Sequence, residues 1–351
     1  MLCLMNPEER IPKSHPLRQV KQLADEALSS MDETLDGMYS KMGRPSVPPE
    51  QLLKSLVLCA LYSIRSERSL CEQLRYNLLF QWFLDLEATA EPWVPTTYSK
   101  NRERLLEHDV ARKFFGAVVE QARGRGLLSE EHFSVDGTLV EAWASLKSFR
   151  PKDEPDDPND TGPRNRWMDY RGKKRSNETH ESKTDPEAKL MRKSLGKEAK
   201  LTFGLHALME HRNGLWVDLE VTDSLTRRER EAGLRMLERS VSQGRRTTVA
   251  GDKGYDNAGF VDGCRDLNIT PHVAQKQNGT RLDGRTTRHE GYRISQRIRK
   301  RAEELFGWSK TTGGLRKTRF KGKARTGLWA LFVGASYNLL RMAKMEALET
   351  S

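Results

Sequence analysis

Apolar and polar positions follow two different rhythms along the chain. In "PPEQLLKSLVLCALYSI" and "ARKFFGAVVEQARGRGLL" the apolar residues recur every three or four positions, which is typical of amphipathic helices. From residue 132 the pattern changes to short β-rich runs such as "HFSVDGTLVEAWAS", separated by turn signals. We therefore predict an all-α region over residues 46–128, followed by a mixed α/β unit.

The second part of the chain predicts strands and helices in turn. Its elements are a strand at 132–145, a hairpin at 201–223 with "HRNG" as its turn, a helix at 224–244, a strand at 247–254, a helix at 257–267, a strand at 269–276, a basic helix at 292–311 and an apolar helix after 326. The chain is divided accordingly into an N-terminal extension (1–45), a helical domain (46–128) and an α/β domain (129–345).

Composition restricts the class of protein. The 351 residues carry a net charge of +11 and are 36% hydrophobic and 31% charged, which is typical of a polar, soluble chain. The four cysteines form no CxxC pair, so we expect neither a structural zinc site nor a disulfide framework, and a cytoplasmic location fits. The most apolar late stretch contains Asn338 and Arg341, which favours a buried helix over a membrane span.

Positive charge is concentrated in one stretch of the chain. Residues 281–325 hold 15 Lys and Arg against 4 Asp and Glu, a net of +11 that equals the charge of the whole chain. Such a stripe suits a polyanion, because contacts with phosphates release bound counterions. The alternative is the solvated face of an ordinary basic helix, but the concentration favours nucleic acid.

A charged, proline-rich loop is predicted at about 146–199. Its mixed charges and few aromatic residues favour a disordered or extended loop. The alternative is a loop that becomes ordered on nucleic acid.

Two aspartates occupy unusual places in the predicted strands. Asp252 follows the apolar run in "TTVAGDKG", and Asp136 lies between apolar neighbours in "HFSVDGTLV". An aspartate inside a strand is costly unless it is paired or binds a cation. The alternatives are ordinary turns, one after the strand at Asp252 and one at Asp136-Gly137.

A third carboxylate comes from the basic helix "RISQRIRKRAEELFGWSK". At about 100° per residue, Arg299, Glu303 and Lys310 fall within about 40° of one another. Glu303 is predicted at the edge of the buried face and Glu304 on the solvent side. The alternative for Glu303 is an ion pair with Arg299, which is common on helices and weak. The buried face is an apolar arc made of Ile294, Ile298, Ala302, Leu305 and Phe306.

Three carboxylates from two strands and a helix can hold two hard divalent cations about 3.5–4 Å apart. Such a pair activates the attacking oxygen and stabilises the leaving oxygen at a phosphodiester. It also explains an acidic cluster within a basic surface, because the cations offset the repulsion between carboxylate and phosphate. The expected cofactor is Mg²⁺, as two ions, with Mn²⁺ as a substitute.

The segments that carry these carboxylates resemble a known family. "SVDGTLVEAWAS", "AGDKGYD" and "RKRAEELFGWSKTTGGLRKTRF" are similar to the three catalytic segments of bacterial insertion-sequence DDE transposases of the compact type. "RPSVPPEQLLKSLVLCALYSIRSERSLCEQLRYNLLFQWFLDL" and "TYSKNRERL" resemble the helical N-terminal domain of that family, and "SKTDPEAKLMRK" resembles its long loop. The resemblance covers about residues 43–343.

The resemblance implies a fold and a catalytic set. The expected fold class is α/β, an RNase H-like catalytic core, preceded by an all-α N-terminal domain. The two aspartates of the family map to Asp136 and Asp252 and its glutamate to Glu303, as catalytic residues and metal ligands.

The helix signature of the family is Tyr, two residues, Arg, three residues, Glu, six residues, Lys. Arg299, Glu303 and Lys310 match it at the right spacing, whereas Gln296 departs from it at the Tyr position. The spacing also favours Glu303 over Glu304, since Thr311 lies seven residues after Glu304.

The partner that the resemblance implies is double-stranded DNA, both element ends and target, bound by a homo-oligomer of at least two protomers. No membrane partner is expected. The helical domain would recognise the ends or pair two protomers; the alternative is that it only packs on the catalytic core. The residues expected to contact DNA share a positive charge: Lys253, Arg299, Lys310, Arg316, Lys317, Arg319, Arg102 and Arg104.

The predicted function is a transposase that binds the terminal inverted repeats of an insertion sequence, cleaves the element ends by metal-activated hydrolysis and transfers the 3′-OH ends into target DNA. Two alternatives are a DNA-binding regulator or catalytically decayed relative, and a host nuclease on the same fold. The complete set of Asp136, Asp252 and Glu303 speaks against decay.

Overall fold

The structure, a computed structural model, describes residues 7–32, 35, 37, 47–87, 91, 93–107, 109–152, 176–193, 196–223, 226–242 and 244–349. All regular elements described before residue 132 are helices, as predicted from the apolar spacing. They are α1 (Pro7–Arg10), α2 (Leu17–Ser29), α3 (Pro49–Leu61), α4 (Glu67–Tyr76), α5 (Leu78–Phe83), α6 (Pro95–Glu107) and α7 (Val110–Gly124).

The second part of the chain supplies the described strands and six further helices. The strands are β1 (His132–Glu141), β2 (Phe149–Pro151), β3 (His180–Ser182), β4 (Lys189–Met191), β5 (Lys200–Glu210), β6 (Trp216–Asp223), β7 (Thr247–Gly251) and β8 (Ile269–Val273). The helices are α8 (Thr226–Ser240), α9 (Ala258–Asp266), α10 (Gly284–Thr287), α11 (Glu290–Ile298), α12 (Ala302–Thr311) and α13 (Lys323–Glu349).

Side chains next to the helix ends explain where several helices begin. The Ser66 hydroxyl accepts a hydrogen bond from the Ser69 amide at 3.1 Å at the start of α4. The Asn257 side chain accepts one from the Phe260 amide at 2.9 Å at the start of α9. Each bond satisfies an amide that has no partner within the helix, so these polar residues fix the helix boundaries.

The central sheet has the strand order β6-β5-β1-β7-β8, and the short β4 also pairs with β5. β6, β5 and β1 are antiparallel, whereas β7 and β8 run parallel to β1. The last paired residues of β1 and β7 are Ser134 and Ala250. Asp136 and Asp252 each lie two residues further on, so the parallel register brings the two aspartates side by side where the β1–β7 pairing ends.

The predicted charged loop contains some regular structure at its ends. β2 and β3 form a separate antiparallel pair, and β4 joins the central sheet. Residues 153–175, the centre of that predicted loop, lie outside the described residues.

The basic helix differs from the prediction in one respect. Ala302 and Leu305 are buried as expected, but Ile294 is 41% exposed, so its place in the apolar arc was predicted wrongly. The cause is a 3₁₀ segment at Arg299–Arg301 that separates α11 from α12. A 3₁₀ turn rotates the chain by about 120° per residue instead of about 100°, so residues on its two sides do not share one face.

One continuous apolar core joins the helical domain to the α/β domain. α13 connects them, because it packs against both β6 and α7. Gly334 marks the closest approach, because a Cβ there would lie 2.6 Å from Leu219 Cδ2 and 3.0 Å from Phe115 Cε2. No helix in the described ranges is long and apolar enough to cross a membrane.

The packing of α13 can be tested at Gly334. We expect Gly334→Ala to lower the free energy of unfolding by about 1–3 kcal/mol, because the added methyl group overpacks the space between Leu219 and Phe115. The matched control is Gly116→Ala in α7, where a Cβ would meet nothing within 4 Å, so helix propensity alone should stabilise it by up to about 1 kcal/mol. Urea unfolding measures the free energy of unfolding of both variants. Equal values for Gly334→Ala and Gly116→Ala would contradict the close packing at Gly334.

Candidate active site

Two aspartates lie on neighbouring parallel strands, Asp136 inside β1 and Asp252 directly after the end of β7. Asp136 is half-buried in β1, and its Oδ1 accepts a hydrogen bond from the Gly137 amide at 2.8 Å. Asp252 follows β7 directly, and its Oδ1 accepts one from the Gly254 amide at 2.7 Å. Asp136 lies inside a regular strand rather than at a turn, so the turn alternative for this residue is wrong.

The charge of Glu303 acts on Asp136. The pKa of Asp136 is raised to about 6, mainly by burial, and the Asp252 and Glu303 carboxylates contribute to the rise. The hydrogen bond from the Gly137 amide and the Arg299 guanidinium act in the opposite direction. These four groups therefore belong to one electrostatic site. Glu303 itself is exposed in the first turn of α12, which lets it turn toward a ligand.

Glu304 lies on another side of the helix. Its charge acts on the Tyr337 hydroxyl of α13, where burial is the main cause that raises the pKa of that hydroxyl. The structure thus separates the two neighbouring glutamates, with Glu303 beside the aspartates and Glu304 beside α13.

Gln296, at the family's Tyr position, anchors α11 to the sheet. Its Nε2 donates to the carbonyl oxygen of His272 in β8 and, at 3.4 Å, to that of Gly251 in β7. Its Oε1 accepts a hydrogen bond from Arg299 Nε at 2.9 Å. Because Gln296 is fixed by two strand ends, it also fixes the direction of the arginine beside the aspartates.

Lys310 connects α12 to β1. Its ammonium donates a hydrogen bond to Thr138 Oγ1, two residues along the strand from Asp136. Burial lowers the pKa of Lys310, and the nearby charges of Lys193 and Arg316 lower it further. The signature lysine therefore stands at the border between the acidic site and a basic surface.

The other predicted DNA contacts divide into exposed and packed residues. Lys253, Arg316, Lys317 and Arg104 are exposed. Arg319 is half-buried, donates to the carbonyl oxygen of Ile64 at 3.1 Å and stacks on Trp329.

Arg102 is also largely internal. Its side chain is 12% exposed, forms ion pairs with Glu67 and Glu103, and lies over the ring of Phe320. The sequence identified the charge of this arginine but not the carboxylates that neutralise it.

One carboxylate near the site was missed by the sequence analysis. Glu229 of α8 is half-buried; burial raises its pKa to about 7, and the charges of Asp252 and Asp136 contribute. A signal existed in the sequence, because Glu229 lies three residues before Ala232 and seven before Met236, both buried, so it shares their helical face. It was obscured by the run of charges in "TRRERE".

The donor atoms at this site suit a hard divalent cation, which prefers carboxylate oxygens. A bound cation would stabilise the ionised form of Asp136, which burial and the neighbouring carboxylates disfavour. Within the described part of the chain, no three His, Cys, Asp or Glu side chains are closed around a metal position as they stand. The two aspartates are instead turned to their neighbouring amides, so closure around a cation requires at least their side chains to rotate.

The raised pKa of Asp136 predicts a pH-dependent cost to stability. Its folded value of about 6 lies above the ordinary 3.8, so the wild-type protein loses stability as the pH rises from about 4 to about 6. Metal-free Asp136→Asn should therefore be roughly 1–3 kcal/mol more stable than the wild type above pH 6, with no difference below pH 4. Urea unfolding with chelator at several pH values measures this; the exposed Asp262→Asn is the control, expected within about 0.5 kcal/mol of wild type.

Two family models match the chain. The family described as "Transposase DDE domain" matches residues 129–339, and the one described as "Transposase domain (DUF772)" matches residues 5–104. A comparison with curated proteins finds no match at the threshold applied.

Solved transposase structures are similar to the chain over most of its length. One is a piggyBac transposase synaptic complex with hairpin DNA, at 10% identity and a TM-score of 0.44, covering 95% of this chain and 76% of that one. Another is a Mos1 strand transfer complex, at 12% identity and a TM-score of 0.21, covering 87% and 79%. Since the catalytic-domain model spans more than half of the chain, the protein belongs to the insertion-sequence-type DDE transposases, DNA-cleaving enzymes with an RNase H-like core.

Proposed function

We propose that this transposase binds the terminal inverted repeats of its insertion sequence, cleaves the DNA at the element ends and transfers the resulting 3′-OH ends into target DNA. The observation that carries the proposal is the shared electrostatic site of Asp136, Asp252 and Glu303 beside Arg299. Cleavage and joining are one phosphoryl-transfer chemistry with different nucleophiles, water and then a 3′-hydroxyl, so one site serves both steps.

Asp136, Asp252 and Glu303 would hold the Mg²⁺ that the family implies, as two ions, with Mn²⁺ as a substitute. The chemistry that such ions supply is activation of the attacking oxygen and stabilisation of the leaving oxygen. The half-buried position of Asp136 and the exposed position of Glu303 support this assignment, because one carboxylate is fixed and the other is free to close.

The cationic side chains around the site would orient the phosphate backbone. Arg299 is held by Gln296 and Lys310 by Thr138, so both cations have defined positions next to Asp136. Phosphate contacts of this kind set the register of the duplex and carry no sequence information themselves. Arg299 and Lys310 would therefore place the scissile phosphate rather than select the element end.

A groove beside the site extends this basic surface. It runs between the connection from α3 to α4 and the residues after α12, and its lining includes Arg65, Lys310, Arg316 and Lys317. We assign the flanking DNA to this groove, with Lys253 at the opposite side of Asp252. Arg319 would support the groove wall through Trp329, and in the helical domain the exposed Arg104 is a better DNA contact than the packed Arg102.

The joining of two element ends requires two active sites, so we propose at least a dimer on DNA. The helical domain would contribute to recognition of the ends or to pairing of the protomers. Its packing on α13 couples that task to the catalytic core.

The catalytic assignment is tested by charge-neutral replacements. We expect Asp136→Asn, Asp252→Asn and Glu303→Gln each to reduce cleavage of a duplex that carries the element end to the uncatalysed background, because each removes a ligand of Mg²⁺. Binding of the same duplex should persist, since no positive charge is lost. Glu304→Gln is the matched control and should cleave at the wild-type rate; a reversed result for the two glutamates would overturn the assignment.

The basic groove is tested by the salt dependence of binding. Arg316→Ala and Lys317→Ala should weaken binding to all duplexes to a similar degree, and each should flatten the slope of log K against log salt by about one unit. Lys344→Ala, at an exposed position of α13, is the control and should leave the slope unchanged. An altered sequence preference at constant slope would count against phosphate contacts.

A further inference from the structure

Glu229 reaches the active site from the helix that covers the other face of the sheet. A Cβ on Gly137 would lie 2.6 Å from Glu229 Oε1, so the carboxylate lies directly against the backbone of β1 beside Asp136. One turn later, Gly233 packs against Tyr255 and Val135, which fixes the helix at this distance from the strand. The absence of a side chain at Gly137 makes room for this carboxylate, because a Cβ there would displace it.

A buried imidazole faces the same space. His206 is 4% exposed and lies opposite Gly137 in the β1–β5 register. Its Nδ1 would be 3.1 Å from the same Cβ position that Glu229 approaches. Nδ1 has no hydrogen-bond partner among the described residues.

The tautomer of His206 follows from its other nitrogen. Nε2 lies 2.8 Å from Thr222 Oγ1, and this hydroxyl donates its single hydrogen to the Asp223 carbonyl oxygen at 2.7 Å. Nε2 must therefore carry the imidazole proton and donate it to Thr222. Nδ1 is left as an unprotonated acceptor beside the Glu229 carboxylate.

Two acceptors that share one space require a donor or a cation. The Tyr255 hydroxyl is fully buried near Glu229 and offsets part of its charge, but it satisfies only the carboxylate: His206 Nδ1 has no donor among the described residues. The neighbouring Arg230 offsets part of the charge of Glu229, whereas Asp252 and Asp136 add to the repulsion. A proton on Glu229 would satisfy Nδ1 alone, whereas a hydrated divalent cation also neutralises the neighbouring Asp136 and Asp252 carboxylates, and its waters donate hydrogen bonds to imidazole.

We propose that Glu229 is a fourth acidic ligand of the catalytic site and that His206 Nδ1 accepts a hydrogen bond from a water of the bound cation. This inference rests on the proposed metal-dependent cleavage. Lys310 of α12 contacts Thr138, which lies on the opposite face of β1 from Gly137. The site therefore receives acidic residues from both faces of the sheet, Glu303 from one and Glu229 from the other.

The test measures Mn²⁺ binding to the full-length protein by electron paramagnetic resonance of free Mn²⁺, with thermal unfolding in parallel. Glu229→Gln should weaken Mn²⁺ binding by about tenfold or more, or remove one of the bound ions. The control Glu238→Gln changes the same charge at an exposed position of α8 and should bind Mn²⁺ as the wild type does. Without metal, Glu229→Gln should unfold at the wild-type temperature or above it, because a repelled carboxylate has been neutralised.

The outcomes separate this inference from the proposed function. Wild-type Mn²⁺ binding by Glu229→Gln, together with lost binding by Asp136→Asn, would show that the inference is wrong and leave the proposed function intact. Unchanged binding by both variants would overturn the metal site itself. A lowered unfolding temperature of metal-free Glu229→Gln with unchanged Mn²⁺ affinity would assign Glu229 a structural role instead.

Discussion

The parallel pairing of β1 with β7 forces two like charges to lie side by side, and the rest of the active site depends on that constraint. Apolar residues such as Phe133 and Val249 pair across the two strands, so the register is set by the core rather than by the aspartates. Once it is set, Asp136 and Asp252 cannot separate. Among the described residues, each accepts a hydrogen bond from a neighbouring backbone amide, and the charge of Arg299 also stabilises ionised Asp136.

The surrounding elements can be understood as responses to this charge. α11 and α12 bring Arg299 and Lys310 close to the aspartates, but Gln296 and Thr138 hold them so that neither cation closes an ion pair with Asp136. A direct salt bridge would lower the energy of the resting protein and occupy the carboxylates that phosphoryl transfer requires. The site thus retains unfavourable electrostatics that a substrate complex can relieve.

The sequence predicted the elements that depend on local pattern. Asp252 was found because an apolar, β-branched run ends at it, and Asp136 because a charged residue stood between apolar neighbours inside a predicted strand. Glu303 was found because a helical repeat and a family signature agreed. The 3₁₀ segment was not predicted, since "RKR" has no feature that separates it from α-helix, and Ile294 was therefore assigned to the wrong face. The packed position of Arg102 could not be predicted either, because its partners Glu67 and Phe320 lie far from it in the sequence.

Glu229 and His206 illustrate a different limit. Each is recognisable only when three strands and one helix are assembled, because the space they share is defined by the missing side chain of Gly137. Helical spacing shows that Glu229 lies on the buried face of α8, but it does not show which strand that face meets.

The helical domain and the catalytic core share one apolar interior through α13. Removing the helical domain would expose the α7 side of that helix to water, so independence of the two parts in sequence does not imply independence in folding. Packing of the helical domain on α13 is also compatible with DNA recognition, because a helix that buries one face leaves its opposite face exposed to DNA.

The 3₁₀ segment limits which sequence changes this transposase can tolerate between Arg299 and Glu303. The rotation between Arg299 and Glu303 is set by the number of residues and by the tighter turn between them. Substitutions there can be absorbed, but insertion or loss of one residue would turn Glu303 by about 100° away from the aspartates. Variation in this stretch should therefore be limited to changes of residue type at constant length.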